Sequence, residues 1–378
     1  MHKMKNIPFS AKETMCISSL QRALLLLCLF AATVSFAQIP AGYYAAAENK
    51  SGYALRVAMH NIIKNHTTLS YNNLWNAFTT TDKRPDNGKV WDMYSDRPSG
   101  TPAYYFTFGS DQCGSYSGEG DCYNREHSVP KSWFGGSVAP MYTDLFHLIP
   151  TDGYVNSKRS NLPFGKVTNA TWTSTNGSKV GTSNISGYSG QVFEPIDDFK
   201  GDFARAYFYM AVCYMDKNLG VETQSNFSGG NLKPWAKQLL LQWAAQDPVS
   251  QKEISRNNAV YQLQHNRNPF IDFPDLAEKI FGSDTNSAFH VSISEHLFPT
   301  PTNIFPNPSN DIINIQSADF KMFQTTVEVM DSTGKLLFSA KSKDSDLITL
   351  DISSLANGLY LIKVSSEHNI QTFKFVKQ

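Results

Sequence analysis

The spacing of hydrophobic positions changes several times along this chain, and the changes divide it. A nearly unbroken apolar run, Ala23 to Phe36, follows a start carrying Lys3, Lys5, Lys12 and Arg22. That order is the pattern of a secretory signal, and Ser35-Phe36-Ala37 places small residues at the positions that set cleavage, near Ala37. The run is shorter than the roughly 20 residues needed to span a bilayer, so no membrane span is expected in the mature chain. From Tyr53 to Lys64, Leu55, Ala58, Met59 and Ile62 recur every three or four residues, which predicts an amphipathic helix. A second helix is predicted over Tyr71 to Phe78. The aromatic runs Val90 to Ser95 and Tyr104 to Phe108, bounded by Pro and Gly, predict short strands. Polar Lys166 to Ser189 reads as a hairpin or long loop.

Helical spacing returns with Phe203 to Asp216, where Asp202 is placed to cap and Phe203, Tyr207, Met210 and either Cys213 or Tyr214 form one stripe. Arg205 on this helix is open to two readings, phosphate contact or structural ion pair. Further helices are predicted over Asn231 to Ala245, with Pro234 in its first turn, and Val249 to Gln264, where Glu253 and Arg256 are spaced for a surface pair. Asn266-Arg267-Asn268-Pro269 reads as a polar turn that braces neighbouring loops. His60 and His66 have no partners at ligand spacing and read as surface or capping residues. A stretch rich in Ser, Thr, Asn and Pro follows, and beyond it the period becomes two. Ile312–Ile315, Thr326–Met330, Lys335–Phe338, Leu347–Leu350, Gly358–Val364 and Thr372–Val376 recur with turn residues between them, the signature of a small β-sandwich.

At 378 residues the chain is long enough for two or three folded units, and 41% hydrophobic with 17% charged residues excludes a mainly disordered protein. The formal charge is zero, and loss of the leader leaves 29 basic against 32 acidic residues. That balance argues against tight, charge-driven duplex binding and for a weaker grip suited to turnover. Cys16 and Cys28 lie in the leader. Cys113 and Cys122 flank a turn-rich loop and are expected to form a disulfide after export, while Cys213 reads as a small buried hydrophobe.

The chemistry is concentrated between Cys122 and Gly165. Glu126 and His127 are adjacent, so on a strand they point to opposite faces and can serve two different partners. A helix starting near Thr151 would carry Asn156, Lys158 and Arg159. Mg²⁺ prefers oxygen ligands and keeps several waters, so Glu126 and Asn156 are the natural metal pair. The unperturbed imidazole titrates near neutrality, so His127 is the natural base.

Three pieces in order, Arg125-Glu126-His127, Asp144-Leu145-Phe146-His147-Leu148 and Val155-Asn156-Ser157-Lys158-Arg159-Ser160-Asn161, resemble the endonuclease I family of the ββα-metal nucleases. The likeness extends through Phe203–Met210 and Gln264–Asp272. It implies His127 as general base, with Glu126 and Asn156 holding Mg²⁺ (Mn²⁺ or Ca²⁺ as alternatives), and phosphodiester hydrolysis of DNA or RNA with 5′-phosphate products. Some members hold the cleaved phosphate with a separate arginine from an insertion that is shorter here, which leaves Arg125, Lys158 and Arg159 as candidates. Arg125 is counted with His127 among the catalytic residues, and Lys158, Arg159 and His147 among the substrate contacts. Phe305-Pro306-Asn307-Pro308, Asp331–Lys335, Asn357–Tyr360 and the basic end Lys374 to Lys377 resemble a type A sorting domain of the type IX secretion system.

The resulting expectation is an α+β chain: leader 1–37, a ββα-metal nuclease core with surrounding helices over 38–285, linker 286–302, and a small all-β Ig-like sandwich over 303–378. It would be a monomer, secreted or held at the cell surface, with nucleic acid and the type IX machinery as partners. The competing class is a secreted protein that binds nucleic acid or matrix on the same scaffold without cleaving it.

Overall fold

The computed structural model describes residues 39–291, 302–317, 320, 325–342, 345–365 and 370–378. The leader, with its cleavage position near Ala37, and most of the linker lie outside the described residues.

Two helices open the described part, α1 (Gly52–Ile63) and α2 (Leu74–Thr81). The expected strands at 90–95 and 104–108 do not form. Val90 donates to Phe106 O, but the Asp92 carbonyl and carboxylate then collect the N–H groups of Tyr94, Ser95 and Asp96 into a turn. The aromatic side chains there serve packing: Phe106 joins Val90 and Tyr123 in a buried cluster.

An antiparallel pair follows, β1 (Tyr123–His127) and β2 (Leu148–Asp152), in the register Glu126 to Ile149 and His127 to Leu148. Helix α3 (Gly153–Arg159) leaves β2 without a loop. Its start is one residue later than expected, because Thr151 is paired to Asn124 in the ladder and Asp152, whose Oδ1 accepts from Val155 N at 2.9 Å, is the cap. Next comes a three-stranded antiparallel sheet, β3 (Asn169–Thr173), β4 (Lys179–Ile185) and β5 (Tyr188–Glu194), where the sequence suggested a hairpin or loop.

Helix α4 (Lys200–Cys213) is the central element. Every residue but Asp202 is buried, so the one-sided stripe expected from its spacing is in fact a helix wrapped on all sides. Phe208 stacks on Phe270 and Phe281, whereas Tyr207 packs on Phe164 and Phe227. Asp202 does not cap it; it sits in the first turn and pairs with Lys252 at 2.6 Å. A short hairpin, β6 (Phe227–Ser228) and β7 (Asn231–Leu232), leads to α5 (Pro234–Gln246), α6 (Gln251–Gln264), α7 (Pro269–Asp272) and α8 (Leu276–Ile280).

The ion pairs of α6 are internal. Glu253 and Arg256 are both buried and do not pair with each other: Glu253 holds Arg205, and Arg256 holds Asp82 at 2.8 Å. Arg205 is therefore a structural ion pair, not a phosphate contact. The Asn266–Asn268 turn braces as expected, with Asn266 donating to Tyr209 Oη at 2.7 Å and Arg267 forking onto Asp272.

The carboxy-terminal part, described by itself, is a two-sheet sandwich with a twofold alternation of buried and exposed residues. Strands β8 (Asn303–Phe305), β9 (Ile312–Gln316), β10 (Thr325–Asp331), β11 (Leu336–Ser342), β12 (Leu347–Asp351), β13 (Gly358–Ser365) and β14 (Ile370–Lys377) form sheets of order β11-β10-β13-β14 and β12-β9-β8. Ile313, Ile315, Val327, Val329, Ile348, Leu350, Ile362 and Val364 fill the space between them. The α+β class with a terminal all-β unit thus holds.

Candidate active site

Strand β1 sends its side chains alternately to two environments. Asn124 and Glu126 face α3, and Arg125 and His127 face a group of aromatic rings.

On the α3 side Glu126 is only 2% exposed. Tyr94 Oη donates to its Oε1 at 2.9 Å, and Arg159 Nη1 lies 3.4 Å from the same oxygen. Burial pushes its carboxyl up to about 7 despite the opposing pull of Arg159 and Tyr94. Asn156, the fourth residue of α3, donates from Nδ2 to Asn124 Oδ1 at 2.7 Å. Glu126 and Asn156 thus both stand on the seam between β1 and α3, each with its own neighbour: Arg159 for the carboxylate, Asn124 for the amide. Tyr94 and Arg159 both meet the carboxylate at Oε1, and the His127 backbone N–H supports it as well. The amide nitrogen of Asn156 faces Asn124, which leaves Asn156 Oδ1. An incompletely neutralised buried carboxylate and amide oxygens, with no sulfur or imidazole among them, are a donor set that fits Mg²⁺ or Mn²⁺ and does not suit zinc.

On the other side His127 is 9% exposed and lies against Tyr142, ring centroids 5.2 Å apart and nearly parallel. Its Nε2 is 3.0 Å from Tyr142 O. A carbonyl only accepts, so Nε2 carries the hydrogen and Nδ1 the lone pair. Burial, reinforced by His147, pushes the imidazole down to about 3. Arg125 lies in the same environment, its guanidinium 3.6 Å from the Tyr71 ring and 4.3 Å from the Trp75 ring. Lys131 is exposed, with Nζ 5.8 Å from the Tyr142 ring.

Two of the expected substrate contacts are not available for that role. Arg159 is 1% exposed, and its guanidinium is held by Glu126 and by the carbonyls of His127 and Ser128, with Tyr207 beside it. His147 is fully buried and donates from Nε2 to Met141 O at 2.6 Å, which makes it a support of the 3₁₀ turn at 141–143. Asp144 of the same motif is also internal. It accepts from Tyr209, Tyr214 and Gln264, and although burial opposes its charge, His66 and His147 hold the carboxyl below its usual range. His66 is therefore a buried partner of Asp144 rather than a surface residue, and His60 Nδ1 meets the carbonyls of Val212 and Cys213 at the end of α4. Lys158 remains partly exposed, 4.9 Å from the Tyr154 ring.

Several neighbours of the site were not singled out from the sequence: Asn124, Tyr94, Tyr71, Tyr142 and the capping Asp152. Only Asn124 carried a local signal, since it stands two positions before Glu126 and shares its strand face. Cys113 and Cys122 are bonded, Cα atoms 5.7 Å apart, and Gly153 at the start of α3 donates to Cys122 O.

A strand pair followed directly by a helix, with a buried carboxylate and a neutral histidine on the first strand and an asparagine on the helix, defines a ββα hydrolytic unit. Residues 51–275 match the model of the Endonuclease I family, and the chain belongs to that family. Residues 303–378 match the secretion system C-terminal sorting domain. The chain is 39% identical over 245 residues to an extracellular ribonuclease of Bacillus amyloliquefaciens, covering 63% of this chain and 78% of that one. It is 38% identical to the extracellular ribonuclease of Bacillus subtilis with the same coverage. To an Endonuclease-1 of Buchnera aphidicola it is 30% identical over 34% of this chain and 46% of the other. A Bacteroides vulgatus protein of the DUF3244 family with an immunoglobulin-like sandwich matches 21% of this chain and 85% of its own at 17% identity and a TM-score of 0.19, too distant to carry an argument. The protein is a secreted or cell-surface nuclease, and no helix among the described residues is long and apolar enough to cross a membrane.

Proposed function

We propose that the chain is a Mg²⁺-dependent endonuclease that hydrolyses DNA and RNA with little sequence preference and leaves 5′-phosphates. The observation that carries the reading is the tautomer of His127: its Nε2–H is engaged by Tyr142 O, so Nδ1 offers a lone pair. That nitrogen takes a proton from water as the water oxygen attacks phosphorus. The P–O3′ bond breaks and the departing oxygen takes a proton from solvent. Glu126 and Asn156 would hold the metal, which when bound supplies positive charge to the developing phosphorane and leaving oxygen. Arg159 holds Glu126 in place and supports the end of β1 through the carbonyls of His127 and Ser128. The names of the relatives, ribonuclease for two and endonuclease for the third, support a site that accepts either sugar.

The test is cleavage of plasmid DNA and of RNA by wild type, His127→Ala, Glu126→Ala and Asn156→Ala, with and without EDTA and across a Mg²⁺ titration. His127→Ala should lose roughly 10²- to 10⁴-fold in rate at every metal concentration. Glu126→Ala and Asn156→Ala should recover part of theirs at high Mg²⁺ or Mn²⁺. Full activity in EDTA, or metal rescue of His127→Ala, would overturn the assignment.

A further inference from the structure

The motif leaves the grip on the phosphate unassigned, and the structure narrows the choice by showing what each arginine is doing. Arg84, Arg159, Arg205, Arg256 and Arg267 all pair with carboxylates. Arg56 has no acid but donates to Asn231, Ala211 O and Gly230 O, and Arg97 lies exposed in the turn after the Asp92 segment. Arg125 differs. Among the described residues it has no carboxylate within ion-pair distance; Nη1 donates to Tyr71 O at 2.8 Å, and the Tyr71 hydroxyl adds a side-chain contact. Its remaining donors are not sealed in the protein, since no Arg125 nitrogen is among the buried unpaired atoms, although those of Arg56, Arg159 and Arg267 are represented there.

The Arg125 guanidinium lies against two rings, 3.6 Å from the centre of Tyr71 and 4.3 Å from that of Trp75. Tyr71 stacks on Tyr142 at 4.5 Å and on His127 at 6.2 Å, and Tyr142 on His127 at 5.2 Å. Arg125, the two tyrosines and the base therefore form one cluster. A guanidinium held by rings keeps its fork of N–H donors, which matches two oxygens of a phosphate. Half-burial without a counter-charge is a cost unless an anion completes it.

We propose that Arg125 grips the scissile phosphate and the terminal phosphate it becomes, and that Tyr71 and Trp75 are positioning residues that hold its donor edge beside His127. This deepens the nuclease reading and rests on it. The exposed Lys131, on the turn immediately after β1, adds a second positive charge for the flanking backbone.

The test is made in the inactive His127→Ala background, so that phosphate binding is read independently of turnover. Inorganic phosphate is titrated calorimetrically into His127→Ala, and into that variant combined with Arg125→Ala, Arg125→Lys or, as a surface control, Lys217→Ala. Affinity should fall at least tenfold with either Arg125 change and remain within twofold with Lys217→Ala. Arg125→Lys keeps a charge without the fork and serves if Arg125→Ala does not fold. In the active enzyme, Tyr71→Leu and Trp75→Leu should raise KM and the phosphate inhibition constant together, while Tyr71→Phe and Trp75→Phe retain wild-type values. Unchanged phosphate affinity in both Arg125 variants, or no measurable phosphate binding by folded His127→Ala, would sink the proposal. Loss of nucleic-acid cleavage by wild type would instead sink the underlying reading, with the phosphate titrations still standing.

Discussion

A cation in a nuclease motif is not by that fact a substrate contact; burial decides. Arg159 and Lys158 are neighbours in sequence, yet Arg159 is sealed between Glu126, two strand carbonyls and Tyr207 while Lys158 reaches outward. Removing one partner of a buried pair leaves an uncompensated charge, at a cost of about 3–5 kcal/mol. Arg159→Ala should therefore lose that order of stability in urea melts, whereas Lys158→Ala should melt like wild type within about 0.5 kcal/mol. Equal stability of the two variants would refute the structural role of Arg159.

Asp92 gives a second residue-scale prediction. Its Oδ1 accepts from Tyr94 N and its Oδ2 from Asp152 N, and no cation faces it; Asp152 and Tyr104 are the titratable groups nearby. Burial, with Asp152 adding, pushes its carboxyl up from 3.8 to about 7. The folded state then binds a proton that the unfolded state has released over that interval. Its contribution to stability is greatest below about pH 4, falls as pH rises to about 7, and then levels. Asp92→Asn cannot titrate, so the Tm of wild type relative to this variant should be highest near pH 4 and lower at pH 8. A relative Tm that is constant or rises with pH would contradict the assignment.

Among elements, legibility followed exposure. The sandwich strands were readable because one face of each is wet, so alternation in Ile312–Gln316 or Gly358–Ser365 marks the buried side directly. Helix α4 was placed well but its environment was not, since a helix buried all round has no polar face to reveal. The aromatic run at 104–108 misled because β-prone residues also suit an irregular segment packed on a core. The long-range pairs were invisible for a simpler reason: Arg256 and Asp82 are 174 positions apart, and neither carries a local signal of the other. In the site, Glu126, His127 and Asn156 stood out by type and order, but the rings around Arg125 did not, because Tyr71 and Trp75 look like ordinary scaffold in a helical run.

The disulfide loop belongs to this scale. Gly120 N donates to Asp152 Oδ2 at 2.7 Å and Gly153 N to Cys122 O, so the loop is fastened to the N-cap of α3. Cross-linking cysteines 9 positions apart is worth roughly 2–3 kcal/mol by loop entropy. The Cys113→Ser, Cys122→Ser double variant should show that loss in urea melts without a change in m-value. No measurable loss would indicate that the loop is held by its hydrogen bonds alone.

For the whole molecule, every residue of the site lies before the linker and the sandwich carries a complete core of its own. A chain limited to residues 38–291 is expected to fold and to cleave nucleic acid with the kcat of the full chain, while failing to leave its native host. An inactive but folded truncate would show that the sandwich completes the site.

The alternation of β1 has an evolutionary consequence. Asn124 and Glu126 serve one face, Arg125 and His127 the other, and a strand has no intermediate setting. Deleting or inserting a single residue between Tyr123 and Glu126 would exchange the two environments at once, sending a carboxylate among the rings and an imidazole to the helix seam. An exposed loop such as 85–88 can drift in length by small steps; this pentapeptide has no such path, and variation reaches it only by substitution.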